Sequence, residues 1–275
     1  KLDGISSLQQ LSLNNNQLTG SIPNLDGLPS LQYLNLNSNQ LTGSIPNLDG
    51  LVSLQYLDLY NNQLTGSIPN LDGLTSLQIL YLSNNQLTGS IPNLDSLTSL
   101  QELYLSNNQL TGSIPNLDSL TSLQKLSLYD NKFLTGQLPV DFSVFPELTF
   151  FFAYNNDFVG TLSQTLFDLP LLEGVMLSGN GKLGGSLPSI IDSPSLTFFV
   201  MEGCDLSGSL PTTISSNLTS LFLAGNRLES TIPKLPPTIT DVSLANNLLH
   251  GELADDFFSN LPNLNSFDVR HNKIG

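Results

Sequence analysis

Positive charge is scarce in this sequence. Eight Lys plus Arg stand against 23 Asp plus Glu, for a net charge of −15 at pH 7. A surface of that sign repels phosphate backbones and anionic lipid, so nucleic acid is not an expected partner. Cysteine is nearly absent: the single Cys204 forbids an internal disulfide and says nothing about redox compartment. The two histidines, His250 and His271, are too far apart in the chain to form a metal site. No apolar run reaches the ~18 residues a spanning helix needs, so no membrane insertion by this segment is expected. A phosphate loop, a nucleophile elbow and a carboxylate pair arranged for hydrolysis are missing as well. These absences set the expectation of a non-enzymatic protein with no cofactor, no metal and no catalytic residues.

What the sequence has in abundance is self-similarity. Leu8 to Leu31 reads LQQLSLNNNQLTGSIPNLDGLPSL and returns almost unchanged from Leu31, Leu54, Leu77 and Leu100. A fixed period of this length decides architecture before any local reading does. Asn16, Asn39, Asn62, Asn85, Asn108 and Asn131 mark it at intervals of 23 residues. Later anchors fall at Asn156, Asn180, Cys204, Asn226, Asn247 and Asn272, at intervals of 21 to 25 residues, which makes about 12 coils. In the regular coils Leu sits three, five and eight residues before each anchor, as Leu36, Leu34 and Leu31 do before Asn39. Residues two apart share one face of a strand, so each LxL is the buried face of a short strand stacked at roughly 4.8 Å on the next. An amide at the end of every strand offers two donors and an acceptor to the backbone, which predicts a hydrogen-bonded Asn ladder.

After the anchor comes LTGSIP. Leu18 and Ile22 are expected to point inward and Thr19 and Ser21 outward, with Gly20 permitting a tight bend and Pro23 ending the segment. NLDGL then returns along the far side, where Asp26 is expected to cap a helical turn. One coil cannot bury its apolar face alone, whereas a stack buries a continuous core. The units are near copies over 1–130 and drift over 131–275, with one extra residue after Asn131 and another at Gly181. The proline-rich Pro233–Ile239 segment is not expected to form a helix, and Asp255–Leu261 is expected to form a short one.

The pattern LxxLxLxxNxLTGxIP resembles the plant-type leucine-rich repeat of receptor-like kinase ectodomains, receptor-like proteins and polygalacturonase-inhibiting proteins. The resemblance implies an α/β repeat solenoid: a right-handed superhelix with a parallel β-sheet on its concave face and short 3-10 or irregular convex segments. It also implies an extracellular or cell-surface location and a protein, peptide or carbohydrate ligand. The chain departs from that family in its 23-residue units, its lack of flanking cysteine pairs and its acidity. It is read as one domain over 1–275. Both ends fall inside a repeat, Leu2-Asp3-Gly4 aligning with Leu25-Asp26-Gly27, so the expectation is a piece of a longer chain or self-association through uncapped ends.

Outward strand positions lie six, four, two and one before each anchor and one after it. All seven tyrosines occupy them: Tyr33, Tyr56, Tyr60, Tyr81, Tyr104, Tyr129 and Tyr154. Tyr carries a large apolar area with a polar tip and is common at binding hot spots, though it also favours strands for packing reasons alone. Phe150, Phe152, Met176, Phe198, Val200 and Phe222 occupy the same positions further along and form the expected partner-binding patch, with Lys125, Asp130, Asp157, Glu202 and Arg227 beside it.

Two further arrays and one single residue have mainly structural readings. Thr19/Ser21, Thr42/Ser44, Thr65/Ser67, Thr88/Ser90 and Thr111/Ser113 form a T-x-S rank expected to be flat, as on ice-binding solenoids, although LTGSIP is also simply the repeat consensus. Asp3, Asp26, Asp49, Asp72, Asp95 and Asp118 form a solvated row. Cys204 stands in an anchor slot as a small packing residue. Asn217-Leu218-Thr219 is a glycosylation sequon with Asn217 expected on the rim. The functional expectation is a recognition scaffold that binds along its concave face. Alternatives are a fibre or surface layer built by end-to-end stacking, and ice binding through the hydroxyl rank.

Overall fold

The computed structural model describes residues 5–275. The Leu2-Asp3-Gly4 alignment and Asp3 therefore lie outside the described residues. The chain forms two compact units, Lys1–Thr135 and Gly136–Gly275. Each is a parallel-strand β-solenoid with very little helix.

In the first unit every LxL becomes a three-residue strand. Gln10–Ser12, Tyr33–Asn35, Tyr56–Asp58, Ile79–Tyr81, Glu102–Tyr104 and Lys125–Ser127 pair in sequence order, all parallel. The register keeps equivalent residues opposite one another, Leu34 facing Leu57 and Leu80 facing Leu103. These leucines are about 1% exposed, the stack of apolar side chains that the period required. Burial of each such side chain contributes about 1.5–3 kcal/mol, which is why a repeat that is unstable alone holds in a stack.

The anchor ladder is present. Asn108 donates from Nδ2 to the carbonyls of Leu105 and Ser106 in its own turn and to Leu82 in the preceding coil. Its Oδ1 accepts from the Leu87 amide of that coil at 3.0 Å. Asn39, Asn62, Asn85 and Asn131 repeat the arrangement. The turn also demands something of the residue before each anchor. Asn15, Ser38, Asn61, Asn84, Asn107 and Asp130 all take φ between 51° and 57°, a left-handed conformation that Asn and Asp tolerate best among non-glycine residues.

A second rank of strands follows: Thr19–Ser21, Gln40–Ser44, Gln63–Ser67, Gln86–Ser90 and Gln109–Ser113. The glycine in each takes φ of 76° to 80°, so it is required there. On the far side, the expected helical turn capped by Asp26 does not form. Two successive tight turns run instead, with the Leu28 amide donating to Leu25 O and that of Leu31 to Leu28 O. The capping residue is Asn24, whose side-chain oxygen accepts from the Asp26 amide at 2.7 Å, and Asn47, Asn70, Asn93 and Asn116 repeat it.

The second unit keeps the plan with less regularity. Its inner strands are Phe150–Phe152, Gly174–Met176, Phe198–Val200, Ser220–Phe222, Asp241–Ser243 and Ser266–Asp268. Phenylalanine replaces leucine in much of the core, with Phe142, Phe145, Phe151, Phe158, Phe167 and Phe199 at 0–1% exposure. The expected short helix near Asp255 is a 3-10 turn at Phe257–Asn260. A four-residue helix, Gln164–Phe167, is capped by Ser163. Pro233–Ile239 carries no helix.

Candidate recognition surface

In the first unit the tyrosines lie on the open face of the inner sheet, but they lean on one another instead of standing free. Tyr33 and Tyr56 stack with ring centroids 4.3 Å apart and 11° between planes. Tyr56 meets Tyr81 edge-on at 6.0 Å, and Tyr81 stacks on Tyr104 at 4.7 Å. The row moves from the sixth to the fourth position before the anchor at Tyr81, and the edge contact joins the two halves. All four rings are half-buried, as are Tyr129 and Tyr154, whereas Tyr60 is 40% exposed.

Polar groups that sequence reasoning assigned to solvent are buried on the same face. Asn35, Asp58, Ser83 and Ser106 are 2–6% exposed. Asp58 accepts from the Asn37 amide group, the Tyr60 backbone and the Tyr56 hydroxyl. The Tyr81 hydroxyl donates to Glu102, which also pairs with Lys125 at 3.1 Å. Burial, with the Asp58 carboxylate beside it, holds the Tyr56 phenol well above its ordinary range, and burial with the Glu102 hydrogen bond does the same for Tyr81. The signal in sequence was the Asp and Ser residues themselves at outward strand positions next to aromatics.

In the second unit the structure brings the aromatic residues together. Phe150, Phe152 and Phe198 are mutual neighbours with centroids 5.6 to 6.2 Å apart. Strand register places Gly174 between Phe150 and Phe198, and the Phe198 ring lies down over it. A Cβ at position 174 would stand 2.0 Å from that ring. Met176, Val200 and Phe222 form a second outward row alongside Phe152. All six residues other than Gly174 are half-buried, so they are neither core nor free. Phe151 and Phe199 keep the interior slots.

The family pattern described as Leucine Rich repeats (2 copies) matches residues 6–50, 52–96 and 98–139, and the Leucine Rich Repeat pattern matches 217–239. The chain is a leucine-rich-repeat protein. Receptor-like protein 53 of Arabidopsis thaliana is 32% identical over 134 residues, which is 46% of this chain and 14% of that protein. A TDR receptor structure superposes with a TM-score of 0.90 at 33% identity, over 97% of this chain and 48% of that one. The plant peptide hormone receptor RGFR1 in complex with RGF2 has a TM-score of 0.70 at 27% identity, over 98% and 56%. A plant ice-binding protein has a TM-score of 0.63 at 24% identity, over 96% and 83%, and shares the fold alone. The chain thus spans 48% of the TDR receptor structure and much less of the curated relative.

The leucine-rich-repeat register alters the hydroxyl rank. Thr19, Ser21, Thr42, Ser44, Thr65, Ser67, Thr88, Ser90, Thr111 and Ser113 are all exposed. However, the second sheet slips by two residues per coil: Ser21 faces Thr42, and Thr42 faces Gln63. Equivalent residues climb a staircase, and each straight line across the strands reads Ser, Thr, Gln. The slip sets each left-handed glycine opposite the leucine of the next coil, Gly20 facing Leu41 and Gly43 facing Leu64. The Asp row, from Asp26 to Asp118, is exposed. Asn217 is exposed on the rim, and its amide nitrogen donates to Pro194 O at 2.6 Å.

Cys204 fills its anchor slot at 9% exposure, with its thiol directed at Leu177 O, and burial pushes the thiol up to about 11. A thiol offers no equivalent of the Asn acceptor. None is needed here, because the extra residue at Gly181 folds the Leu183 amide back onto Asn180 O at 2.9 Å within its own coil. The insertion and the lost amide answer each other. Among the described residues no helix is long and apolar enough to cross a membrane, and no group of three or more His, Cys, Asp or Glu is placed to hold a metal.

Proposed function

We propose that this chain is a non-enzymatic recognition scaffold that works outside the cell and binds an extended peptide on the open face of its inner sheets. One observation carries the reading. The aromatic side chains on that face pack against each other in half-buried rows while the leucines and inward phenylalanines complete the core without them. A surface of fixed, partly exposed rings with polar tips suits binding, because little side-chain freedom remains to be lost on contact. The resemblance to receptors, one of them a plant peptide hormone receptor in complex with RGF2, supports a peptide ligand and an extracellular setting.

Panning a randomised twelve-residue peptide library on the intact protein tests it. Selected peptides should lose binding to a Phe152→Ala/Phe198→Ala variant, with the melting temperature nearly unchanged. A large fall in melting temperature would mean that those rings serve the core. Enrichment of no sequence would remove the peptide reading.

A further inference from the structure

The open face of the second unit is asymmetric, and its asymmetry specifies a ligand. At one side stands the platform of Phe150, Phe152 and Phe198, continued by Met176, Val200 and Phe222. At the other side stand two carboxylates, those of Glu202 and Asp241. Glu202 extends across two strands to accept a hydrogen bond from the Ser243 hydroxyl at 2.8 Å. Asp241 lies on that same strand two residues before Ser243, both face outward with side chains about 7 Å apart, and its Oδ1 accepts from the Asn265 side chain at 3.5 Å. Ion pairs engage Glu102, Asp157, Asp205 and Asp268. Glu202 and Asp241 belong to none of them.

Register fixes the distance between the two zones. Phe198 faces Ser220, and Ser220 faces Asp241, so the acidic zone lies two strands from the platform, about 10 Å away. An extended peptide crossing the strands covers that distance in about three residues. The wider field has the same sign: residues 136–275 carry 14 Asp plus Glu against 5 Lys plus Arg.

We propose that this face binds an extended peptide segment whose apolar side chain rests on the phenylalanine platform and whose Lys or Arg, three to four residues away, reaches Glu202 and Asp241. This rests on the peptide-scaffold reading and narrows it to a basic partner. Charge complementarity selects that occupant: an acidic segment is repelled, and an uncharged one leaves both carboxylates without a counter-ion. Gly174 is a positioning residue for the platform, since it provides the space into which Phe198 lies.

The selection from a randomised twelve-residue library supplies the probe. Enriched peptides should carry an apolar residue and a Lys or Arg three or four positions apart. The tightest of them, followed by fluorescence anisotropy, should bind roughly tenfold more weakly to Glu202→Gln/Asp241→Asn, and that variant should lose most of the salt dependence of the wild type. Both substitutions preserve side-chain size, and circular dichroism verifies the fold. Gly174→Ala, which unseats Phe198 without removing a ring, should weaken the same peptide, whereas Lys182→Gln should not. Enriched peptides that lack basic residues, or whose affinity survives the carboxylate variant, overturn this inference and leave the peptide reading standing. A library from which nothing is enriched overturns both.

Discussion

Replacing Asn226 with Ala removes four hydrogen bonds from one side chain that is 7% exposed. Its Nδ2 donates to Met201 O at 2.8 Å, Leu223 O at 3.0 Å and Ala224 O at 3.4 Å, and its Oδ1 accepts from the Leu206 amide at 3.1 Å. The Leu206 amide is then left buried with no acceptor, a loss of about 1–3 kcal/mol, and the three donated bonds add about 0.5–1.5 kcal/mol each at most. An expected cost of about 3–5 kcal/mol follows once the longest contact is discounted. The adjacent anchor gives the control. Cys204→Ala removes thiol contacts of 3.4 and 3.7 Å and leaves the Leu183 amide bonded, because it already donates to Asn180 O. Its expected cost is about 1 kcal/mol. Urea unfolding followed by circular dichroism measures both, and hydrogen exchange at Leu206 shows whether the loss is local, which matters because repeat arrays can unfold in stages. Equal costs at the two anchors would refute the ladder as the source of stability. Deleting Gly181 sharpens the test: Cys204→Asn should then become stabilising, and a double-mutant cycle should show coupling between the two sites.

Two other outcomes follow from the first unit. Tyr56, Tyr81 and Tyr104 have phenols raised above their ordinary value of 10, chiefly by burial. A group raised in the folded state adds stability that is complete below its unfolded value and lost as pH climbs through the folded one, so stability should fall above about pH 10. Absorbance titration should stop short of the amplitude of seven tyrosines until unfolding releases the rest, and full ionisation of a folded protein near pH 10 would contradict the packing. Gly112 sits at φ 77°, so Gly112→Ala should cost about 1–2 kcal/mol, whereas Gly27→Ala, with no atom within 4 Å of the new methyl, should change urea stability by less than about 0.5 kcal/mol. Equal effects would mean that the bend in LTGSIP does not depend on glycine.

Most of the architecture was legible because it depends on phase. A leucine two residues from another must share its face, and an amide repeated at one place must build a ladder, whatever surrounds it. Two features depend instead on how neighbouring coils meet, and one repeat read alone does not contain them. The second sheet slips by two residues, which sets each left-handed glycine opposite the leucine of the next coil, as Gly43 faces Leu64. Asp58 is buried with the Tyr56 hydroxyl bonded to it, and Ser106 is buried between the hydroxyls of Ser83 and Ser127 on the neighbouring coils. The far side is settled within one coil: the Asp26 backbone amide donates to the Asn24 side chain, and tight turns follow where a helical turn capped by Asp26 was expected. The left-handed residue before each anchor was visible as a column of Asn, Ser, Asp and Gly with His271 at its end, but its outward position invited a surface reading instead of a backbone one.

The irregular coils follow a different logic from the regular ones. Where every coil neighbours a copy of itself, nothing has to adjust, and the same contacts recur from Asn39 to Asn108. Where neighbours differ, a change in one coil is met by a change in the next. Gly181 lengthens a turn and frees the next anchor to be Cys204. Gly174 gives up its side chain, and Phe198 lies down in the space, bringing three rings into contact that strand spacing alone would hold apart. The second pair acts on the open face, where it joins aromatic residues of separate coils into one platform. Departure from the consensus therefore marks the place where three rings of separate coils come into contact.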